Sequence, residues 1–334
     1  MSTNAISLTR HLLDQEAKHP ALGTEFCHLM VQLAFAAKIM AREISRAALT
    51  DSLGLVGGQN TSGDAQKKLD IFTNETMIEA FARTGLVAEI ISEEMEEPKQ
   101  VPGGNDAQFV LCTDPLDGSS NTEANGAVGT IFAIYRRRET APGGDWLQVL
   151  RRGSEQVAAG YVMYGPSTLL VYTSCAGVNG FTLDPNLGEF LLSHFDIRCP
   201  VRGDYFSANL GHLYQWHPNI RRYVEYLTSN NSSTGRSYSL RYTGAFVADF
   251  HRCLISGGIF FYPDDPEHPT GKLRLLYECA PLALLIEHAG GRASDGVRRI
   301  LDIEARDLHQ RTPIAIGSAE DVALYERFFK RDSS

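Results

Sequence analysis

The sequence predicts a layered α/β protein made of two lobes. Its length of 334 residues favours one large domain or two lobes. Helix-like and strand-like patterns alternate toward both ends of the chain, and short β runs separated by turn residues fill the middle. We therefore expect sheets covered by helices, with an N-terminal lobe over residues 1–199 and a C-terminal lobe over residues 200–334.

Composition excludes several classes of function. The formal net charge is −9 and basic residues form no run, which argues against a nucleic-acid-binding surface. The chain has no apolar stretch of membrane-spanning length, and its first residues lack the pattern of a signal peptide. The six cysteines are scattered without a Cys-x-x-Cys pair, which favours reduced thiols in the cytoplasm and argues against a zinc site.

Two helices and a loop are predicted near the N-terminus. An apolar stripe predicts a helix over residues 24 to about 50, with Thr24 as its cap and Glu25 at its positive end. Residues 51–64 are rich in Gly, Ser and Asn and predict a long mobile loop. A second helix is expected over residues 64–82.

Two apolar strands are each followed by acidic residues. Residues 86–91 form a short predicted strand that runs directly into "SEEMEE". Residues 108–114 form another, and "TDPLDGSSN" lies at its end. Acidic residues just past the ends of two buried strands predict a crevice at that edge of a sheet.

The rest of the chain predicts an antiparallel meander followed by alternating helices and strands. The expected meander strands are "GTIFAIYRR", "VAAGYVMY", "TLLVYTS" and "GFTLDP". The later elements are "PNIRRYVEYL", "GAFVADFHRCLI", "GGIFFYP", "ECAPLALLIEHAGG" and "TPIAIGS". Ser318 and Asp321 predict a variant of the capping box at the start of the last helix.

The motif "DPLDGSSN" combines groups that bind metal with groups that bind an anion. Asp114 and Asp117 supply the hard oxygen ligands that Mg²⁺ and Mn²⁺ prefer, and Pro115 stiffens the turn between them. Leu116 can present its carbonyl oxygen, and the small residues from Gly118 onward leave backbone N–H groups open to an anion. The pattern indicates metal-assisted phosphate hydrolysis, and the alternative is an Asp-Pro turn with local hydrogen bonds.

This motif resembles that of the Mg²⁺-dependent, lithium-sensitive sugar and inositol phosphatases. Other stretches narrow the resemblance to the class I fructose-1,6-bisphosphatases, over about residues 8–323. They are "TSGDAQKKLD", "SEE", "GTIFAIYR", "AAGY", "RYTGAFVADFHR", "GGIFFYP" and, most specifically, "GKLRLLYECAP". The resemblance implies a two-lobed sugar phosphatase fold with stacked αβ layers in each lobe, and commonly a homotetramer.

The resemblance implies a metal site that holds two or more ions. Glu93, Asp114, Asp117 and Glu278 correspond to the family's carboxylate ligands, and Leu116 to its carbonyl ligand. Four acids in one crevice would repel one another without cations, which also favours metal. Taken alone, Glu93 could belong to a solvated acidic run, and Glu278 could be a partner of a helix dipole.

Three further acids are implied in catalysis. Asp64 resembles the loop residue that completes another metal position when the loop closes, although it could also be a helix cap. Asp70 and Glu94 resemble the acids that take a proton from the attacking water. The alternative for Asp70 is an exposed helix acid paired with Lys67 or Lys68.

The resemblance also implies two phosphate sites. Arg274 and the backbone of Gly118 and Ser119 suit the phosphate that leaves. The pocket for the other phosphate corresponds to Asn209, Tyr242, Tyr262 and Lys272, with Arg241 as the arginine that arrives from a neighbouring subunit. Taken alone, the two tyrosines would more often be core or surface aromatics.

One regulatory site departs from the family pattern. Related animal enzymes are inhibited by AMP, which binds near the first long helix. Cys27, Gln108 and Phe109 stand where those enzymes carry threonine, lysine and tyrosine, whereas Arg136 remains. Inhibition by AMP is therefore predicted to be weak or lost.

The implied function is hydrolysis of the 1-phosphate of fructose 1,6-bisphosphate by metal-activated water, in gluconeogenesis or pentose regeneration. The implied cofactor is Mg²⁺ or Mn²⁺, and the implied location is the cytoplasm. Alternatives are a sedoheptulose-1,7-bisphosphatase, an enzyme acting on both sugars, or a catalytically idle metabolite sensor on the same fold.

Overall fold

The computed structural model describes residues 5–50, 52–59, 65–138, 150–174, 177–230, 235 and 237–330. The seven α-helices of these residues are α1 Leu8–Lys18, α2 Thr24–Ile44, α3 Lys68–Phe81, α4 Pro218–Thr228, α5 Phe246–Ser256, α6 Ala280–His288 and α7 Ala319–Phe329. The strands of the first half are β1 Leu55–Gln59, β2 Ala65–Lys67, β3 Val87–Ser92, β4 Lys99–Gln100, β5 Phe109–Asp117, β6 Val128–Arg136, β7 Gln156–Tyr164, β8 Thr168–Thr173, β9 Val178–Asp184 and β10 Glu189–His194. The later strands are β11 Tyr205–Ser207, β12 Ser239–Leu240, β13 Ile259–Tyr262, β14 Leu273–Arg274, β15 Arg292–Ser294, β16 Arg311–Thr312 and β17 Ile314–Gly317.

The larger sheet contains eight strands in the order β10-β9-β8-β7-β6-β5-β3-β4. From β5 to β10 each strand is antiparallel to the next, which confirms the predicted meander. The strand "EFLLSH" (β10) was not predicted and forms one edge of this sheet. Strands β3 and β5 are parallel, which brings their carboxyl ends to one edge of the sheet.

The smaller sheet contains five strands in the order β12-β11-β13-β17-β15. Two short pairs, β1-β2 and β14-β16, lie outside both larger sheets. Successive side chains of a strand point to opposite faces of its sheet, and in both larger sheets the side chains on each face are apolar. Helices cover both faces of each sheet and bury these side chains.

Three hydrophobic clusters define five stacked layers. One cluster joins α1, α2 and α3 to one face of the larger sheet. A second fills the space between the two sheets, where α5 and α6 lie. The third joins the outer face of the smaller sheet to α4 and α7. The layered α/β prediction is confirmed, and the described residues contain no helix long and apolar enough to cross a membrane.

Several predicted boundaries and caps were wrong. Helix α2 ends at Ile44 rather than near residue 50, and α3 begins at Lys68 rather than at Asp64. Gly23, with φ 76°, precedes α2, while the Thr24 hydroxyl donates a hydrogen bond to Glu16 instead of capping the helix. Because glycine has no Cβ, it can adopt this positive φ, which is sterically unfavourable for other residues. Gly23 therefore lets the chain turn sharply into α2.

The predicted capping box at Ser318 and Asp321 was also wrong. The Ser318 hydroxyl accepts a hydrogen bond from the Gly258 backbone at 3.0 Å. The Asp321 carboxylate accepts from the Gly203 backbone at 2.9 Å and from the Tyr238 hydroxyl at 2.8 Å. Both side chains therefore bond to distant segments and make no capping hydrogen bond to α7.

Candidate active site

Two parallel strands bring the first acids together. Strand β3 ends at Ser92, which is paired with Thr113 of β5. The next residues along the two strands are Glu93 and Asp114, so their side chains lie at the same edge of the sheet. This is the crevice that the sequence predicted.

The Asp-Pro-Leu-Asp motif lies within β5 rather than after it. The pairing of β5 with β6 shifts register between Asp114 and Asp117, and the Asp114 carboxylate accepts a hydrogen bond from the Leu116 backbone at 3.0 Å. Such a bulge bends a strand and redirects its side chains. Gly118 then has φ 74°, and a Cβ added there would clash with Ala245. Position 118 therefore requires glycine.

Glu278 reaches the crevice from the second half of the chain. It belongs to a π-helical turn, Leu275–Cys279, that leads into α6, and its carboxylate accepts a hydrogen bond from the Arg274 backbone. Ligand atoms of Glu93, Asp114 and Glu278 all lie within 4.8 Å of one another. Three convergent carboxylates suit a hard divalent cation, so these residues fit a metal site.

The electrostatics of the acids also fit a cation. Burial raises the pKa of Asp114 well above its ordinary value, and nearby Glu93, Asp117 and Glu278 raise it further. Burial and Glu93 likewise raise the pKa of Glu278. Burial raises the pKa of Asp117 to about 7, although hydrogen bonds from the α5 backbone oppose this rise. A bound cation would stabilise the ionised forms of all these carboxylates.

The raised pKa values predict that magnesium stabilises the protein more at high pH. A carboxyl whose folded pKa is raised contributes stability at low pH, and this contribution is lost as pH rises through the folded pKa, about 7 for Asp117. A divalent cation held by these acids would bind their ionised forms, so its stabilising effect is expected to grow as they lose their protons. We expect the Mg²⁺-induced rise in Tm to be larger at about pH 8 than at about pH 6. Equal shifts at both pH values would contradict this prediction.

Most of the predicted site residues line one cleft of about 290 Å³. Its predicted lining residues are Asp70, Glu93, Glu94, Asp114, Leu116, Asp117, Gly118, Ser119, Lys272 and Glu278. Ser120, one of the small residues expected to leave backbone N–H groups open to an anion, also lines the cleft, as does Lys67, which was not predicted as a site residue. The ammonium group of Lys67 contacts the Ser119 carbonyl at 3.1 Å and the Glu123 carboxylate at 3.6 Å. The position of Lys67 three residues before the predicted acid Asp70 in "QKKLD" is the signal that could have identified it.

Asp70 is a buried acid rather than an exposed helix residue. Its side chain accepts a hydrogen bond from the Lys67 backbone at 2.9 Å, and the residue is 5% exposed. Burial raises the pKa of Asp70, while hydrogen bonds from the Lys67 backbone and the Ser119 hydroxyl lower it. A raised pKa brings a carboxylate closer to the range in which it exchanges protons with water, so the burial suits a proton acceptor.

Three of the residues predicted for the second phosphate, Lys272, Tyr262 and Tyr242, lie at or beside the cleft. The Lys272 ammonium lies 5.9 Å from the centre of the Tyr262 ring. Burial raises the pKa of Tyr242, and nearby Tyr262 raises it further, so the two tyrosines are neighbours. Arg274, which was predicted for the phosphate that leaves, is 3% exposed and lies next to Tyr277.

The remaining predicted site residues are Asn209, Arg241 and Asp64. The contacts of Asn209 and Arg241 are with residues outside the cleft. Asn209 accepts a hydrogen bond from the Gly211 backbone at 3.2 Å and begins a short helical turn. The Arg241 guanidinium lies 5.7 Å from the centre of the Tyr205 ring and donates to the Leu240 carbonyl. Asp64 lies outside the described residues, as do residues 51 and 60–63 of the predicted mobile loop, whereas residues 55–59 of that loop form strand β1 instead.

Two family models match the chain in sequence order. "Fructose-1-6-bisphosphatase, N-terminal domain" matches residues 6–195, and "Fructose-1-6-bisphosphatase, C-terminal domain" matches residues 199–330. The chain belongs to the fructose-1,6-bisphosphatase family. It is a phosphatase, and its family implies dependence on a divalent metal.

Relatives of this bisphosphatase are similar over nearly their whole length. "Fructose-1,6-bisphosphatase class 1 2" of Acaryochloris marina is 55% identical over 307 residues, which cover 92% of each chain. "Fructose-1,6-bisphosphatase class 1" of Chlorobium phaeovibrioides is 49% identical over 324 residues, which cover 97% of each chain. The holo crystal structure of Leishmania major fructose-1,6-bisphosphatase is 39% identical with a TM-score of 0.93, covering 98% of this chain and 100% of that one. The resemblance seen in the sequence is therefore confirmed.

Proposed function

We propose that the cleft hydrolyses the 1-phosphate of fructose 1,6-bisphosphate to fructose 6-phosphate and phosphate, in gluconeogenesis or pentose regeneration. The observation that carries this proposal is the convergence of Glu93, Asp114 and Glu278 within 4.8 Å. The same cleft contains three further acids, Asp70, Glu94 and Asp117, and the backbone of Gly118 and Ser119. Metal ligands, proton acceptors and anion-binding groups are the parts that metal-assisted phosphate hydrolysis needs.

Different residues of the cleft are proposed to bind the metal, accept the proton and hold the phosphate. A divalent metal held by Glu93, Asp114, Asp117 and Glu278 would supply positive charge to polarise the phosphate and to acidify a water molecule. Asp70 and Glu94 are the proposed acceptors of the proton from the attacking water. The backbone N–H groups of Gly118 and Ser119 hold the phosphate oxygens, and Arg274 adds positive charge.

The donor set supports Mg²⁺ or Mn²⁺ as the ion. Glu93, Asp114, Asp117 and Glu278 offer carboxylate oxygens, and Leu116 offers a carbonyl, without sulfur or imidazole among them. Four carboxylates are more charge than one divalent ion neutralises, which supports two or more ions in each active site. Asp64 is proposed to complete a further metal position.

Phosphate release from two sugars tests the function. We expect Mg²⁺-dependent release of phosphate from fructose 1,6-bisphosphate, abolished by chelator and restored by Mg²⁺ or Mn²⁺. Assaying sedoheptulose 1,7-bisphosphate alongside it distinguishes the second candidate substrate. Binding of fructose 1,6-bisphosphate without turnover would contradict the proposal and support a metabolite sensor.

Lys272→Ala is expected to raise KM about tenfold and to lower kcat much less. Lys272 lies at the junction of the cleft and the Tyr262 ring, where the phosphate that does not react is proposed to bind. A charge-assisted contact to that phosphate is made in both the ground state and the transition state, so its loss weakens binding by about one decade.

Steady-state kinetics of Lys272→Ala and of a matched control check this assignment. The control is Lys38→Ala, because Lys38 forms an ion pair with Glu189 at 3.3 Å and does not line the cleft. We expect the control to keep the KM of the parent enzyme. A fall in kcat with unchanged KM would place Lys272 elsewhere in the mechanism.

A homotetramer in the cytoplasm completes the proposal. Val31, Phe35 and Ile39 are 36% to 51% exposed and lie four residues apart on α2, so they form an apolar stripe that supports contact with another subunit. Arg241 is exposed, as expected for a residue proposed to act in a neighbouring subunit. The five described cysteines are free thiols, which supports a reducing compartment. We keep the lobe boundary at residues 199–200 as part of the same proposal.

A further inference from the structure

The peptide groups of Thr243 are held from two sides. Its N–H donates to the Asp249 carboxylate, at 2.9 and 3.2 Å from the two oxygens. Its carbonyl accepts a hydrogen bond from the Asn121 side-chain amide at 3.0 Å. Asn121 is the last residue of "TDPLDGSSN", and Asp249 lies in the first turn of α5. We call Asn121, Thr243 and Asp249 the Thr243 clamp.

Asp249 is a buried acid that the catalytic mechanism does not use. It is 1% exposed, and it also accepts a hydrogen bond from the Gly244 backbone at 3.2 Å. Burying a carboxylate is costly unless its oxygens are hydrogen-bonded, and here backbone N–H groups of one turn provide that compensation. A buried acid bonded to two consecutive backbone groups holds their segment in one position.

The same end of α5 is bonded to the metal site. The Asp117 carboxylate accepts hydrogen bonds from the backbone of Phe246 at 3.1 Å and of Val247 at 2.7 Å. The first turn of α5 is therefore joined to a proposed metal ligand through Asp117 and to Thr243 through Asp249. Asn121 adds a second connection, because it lies two residues after Ser119 of the proposed anion-binding backbone.

The segment that the clamp holds has little packing of its own. Residues 241–244 are all exposed, with Tyr242 37% exposed. Side chains on an exposed segment are positioned by its backbone hydrogen bonds, because few buried contacts restrain them. The Arg241 N–H donates to the Phe206 carbonyl at 2.9 Å on one side of Tyr242, and the hydrogen bonds of Thr243 restrain the segment on the other side.

We propose that Asn121 and Asp249 are positioning residues that hold Tyr242 for the phosphate that does not react. This inference rests on the proposed function, which assigns Tyr242 to that phosphate. The clamp keeps the second phosphate site at a fixed distance from the metal site, so an aligned bisphosphate is bound better than a sugar with one phosphate.

Two variants test the clamp, each removing one of its side-chain contacts. In Asp249→Asn the amide nitrogen cannot accept a backbone hydrogen bond, and Asn121→Ala removes the donor to the Thr243 carbonyl. For each we expect KM for fructose 1,6-bisphosphate to rise about tenfold, while kcat changes by less than about threefold. The ratio of kcat/KM between fructose 1,6-bisphosphate and fructose 1-phosphate should fall by about the same factor.

Asp295→Asn is the matched control. The Asp295 carboxylate also accepts hydrogen bonds from two consecutive backbone groups, those of Val297 at 2.8 Å and Arg298 at 2.6 Å, and it does not line the cleft. We expect this variant to keep the KM and the substrate ratio of the parent enzyme. If Asp295→Asn lowers stability but leaves KM unchanged, a rise in KM in the clamp variants reports lost positioning of Tyr242 and not a general loss of stability.

The outcomes distinguish failure of the clamp from failure of the proposed function. If Lys272→Ala and Tyr242→Phe raise KM but both clamp variants leave KM and the substrate ratio unchanged, the clamp is overturned and the phosphate site stands. If none of these variants changes KM, the assignment of the phosphate site is overturned along with the clamp. Should Asp249→Asn fail to fold, Asn121→Ala decides the question, because Asn121 is only half-buried.

Discussion

Asp117→Asn is expected to lower kcat by a factor on the order of 100 or more, because metal activation and proton transfer each commonly contribute that much. The substitution keeps the shape of the side chain and removes the charge of a proposed metal ligand. Asp117 is 8% exposed and lies in the cleft with the three convergent acids. A neutral amide beside them binds a divalent cation more weakly, so the Mg²⁺ concentration needed for half-maximal activity should also rise.

The same substitution affects the helix that Asp117 contacts. Its two oxygens accept hydrogen bonds from the first backbone groups of α5, and the asparagine amide nitrogen cannot replace one of them. Loss of one such hydrogen bond is expected to lower stability by about 1–3 kcal/mol. The kinetic effect must therefore be separated from this loss of stability.

Asp321→Asn is the control for that separation. Asp321 is 1% exposed, lies in the first turn of α7, and accepts hydrogen bonds from the Gly203 backbone and the Tyr238 hydroxyl. Steady-state kinetics and thermal unfolding of both variants should show similar losses of stability, with a large loss of kcat for Asp117→Asn alone. Near-normal kcat in folded Asp117→Asn, or full activity of the parent enzyme in excess EDTA, would contradict the metal mechanism.

AMP is expected to inhibit the parent enzyme weakly or not at all. A carboxylate already lies at the N-terminus of α2, where the family resemblance places the AMP phosphate. The Glu16 side chain accepts a hydrogen bond from the Thr24 hydroxyl at 2.6 Å and contacts the Cys27 thiol at 3.7 Å. Burial and nearby Glu16 together raise the pKa of Cys27 to about 11, so this thiol is not an anion there. A phosphate with two negative charges would be repelled by Glu16.

The remaining cation of that site is already bonded within the protein. Arg136 donates to the Gln108 side chain at 2.8 Å and to the Ala21 carbonyl at 3.1 Å. Its guanidinium also lies 5.3 Å from the centre of the Phe109 ring. The neutral Gln108 replaces a lysine and adds no charge of its own, so the site lacks the charge-assisted contacts that a phosphate needs.

Three substitutions should restore the site. We expect Glu16→Gln with Gln108→Lys and Phe109→Tyr to lower the AMP concentration for half-inhibition about a hundredfold, as two charge-assisted contacts at about 1.4 kcal/mol per decade require. Inhibition curves at saturating Mg²⁺ measure this change. Gln100→Lys is the control, because it adds a lysine on β4 away from α2. Half-inhibition of the parent enzyme at low micromolar AMP would overturn the prediction.

Local patterns in the sequence determined much of the fold and of the acid set. Strands β3 and β5 were predicted because their apolar runs are continuous, and the acids that follow them could be located from those ends. The "DPLDGSSN" motif indicated a metal and an anion because its residue types carry that chemistry within eight positions. The family resemblance then placed Glu278, which no local pattern connects to Glu93.

Tertiary structure decided which hydrogen bonds form between segments that are far apart in the sequence. Ser318 and Asp321 resemble a helix cap in sequence, yet their hydrogen bonds go to Gly258 and Gly203, because a polar side chain near a helix start can bond to any backbone group that packs against it. Asp70 is buried because Lys67 and Ser119 enclose it, which its helical spacing does not show.

The Thr243 clamp is the clearest example of contacts that the tertiary structure shows and the sequence does not predict. Asn121 and Asp249 lie 128 positions apart in the chain, and neither has a local signature for contact with Thr243. Periodicity and capping patterns describe partners within about one helical turn or one strand pair. Hydrogen bonds between a metal-binding motif, an exposed segment and a helix end form only when packing of the layers brings them together, so only the folded structure could identify them.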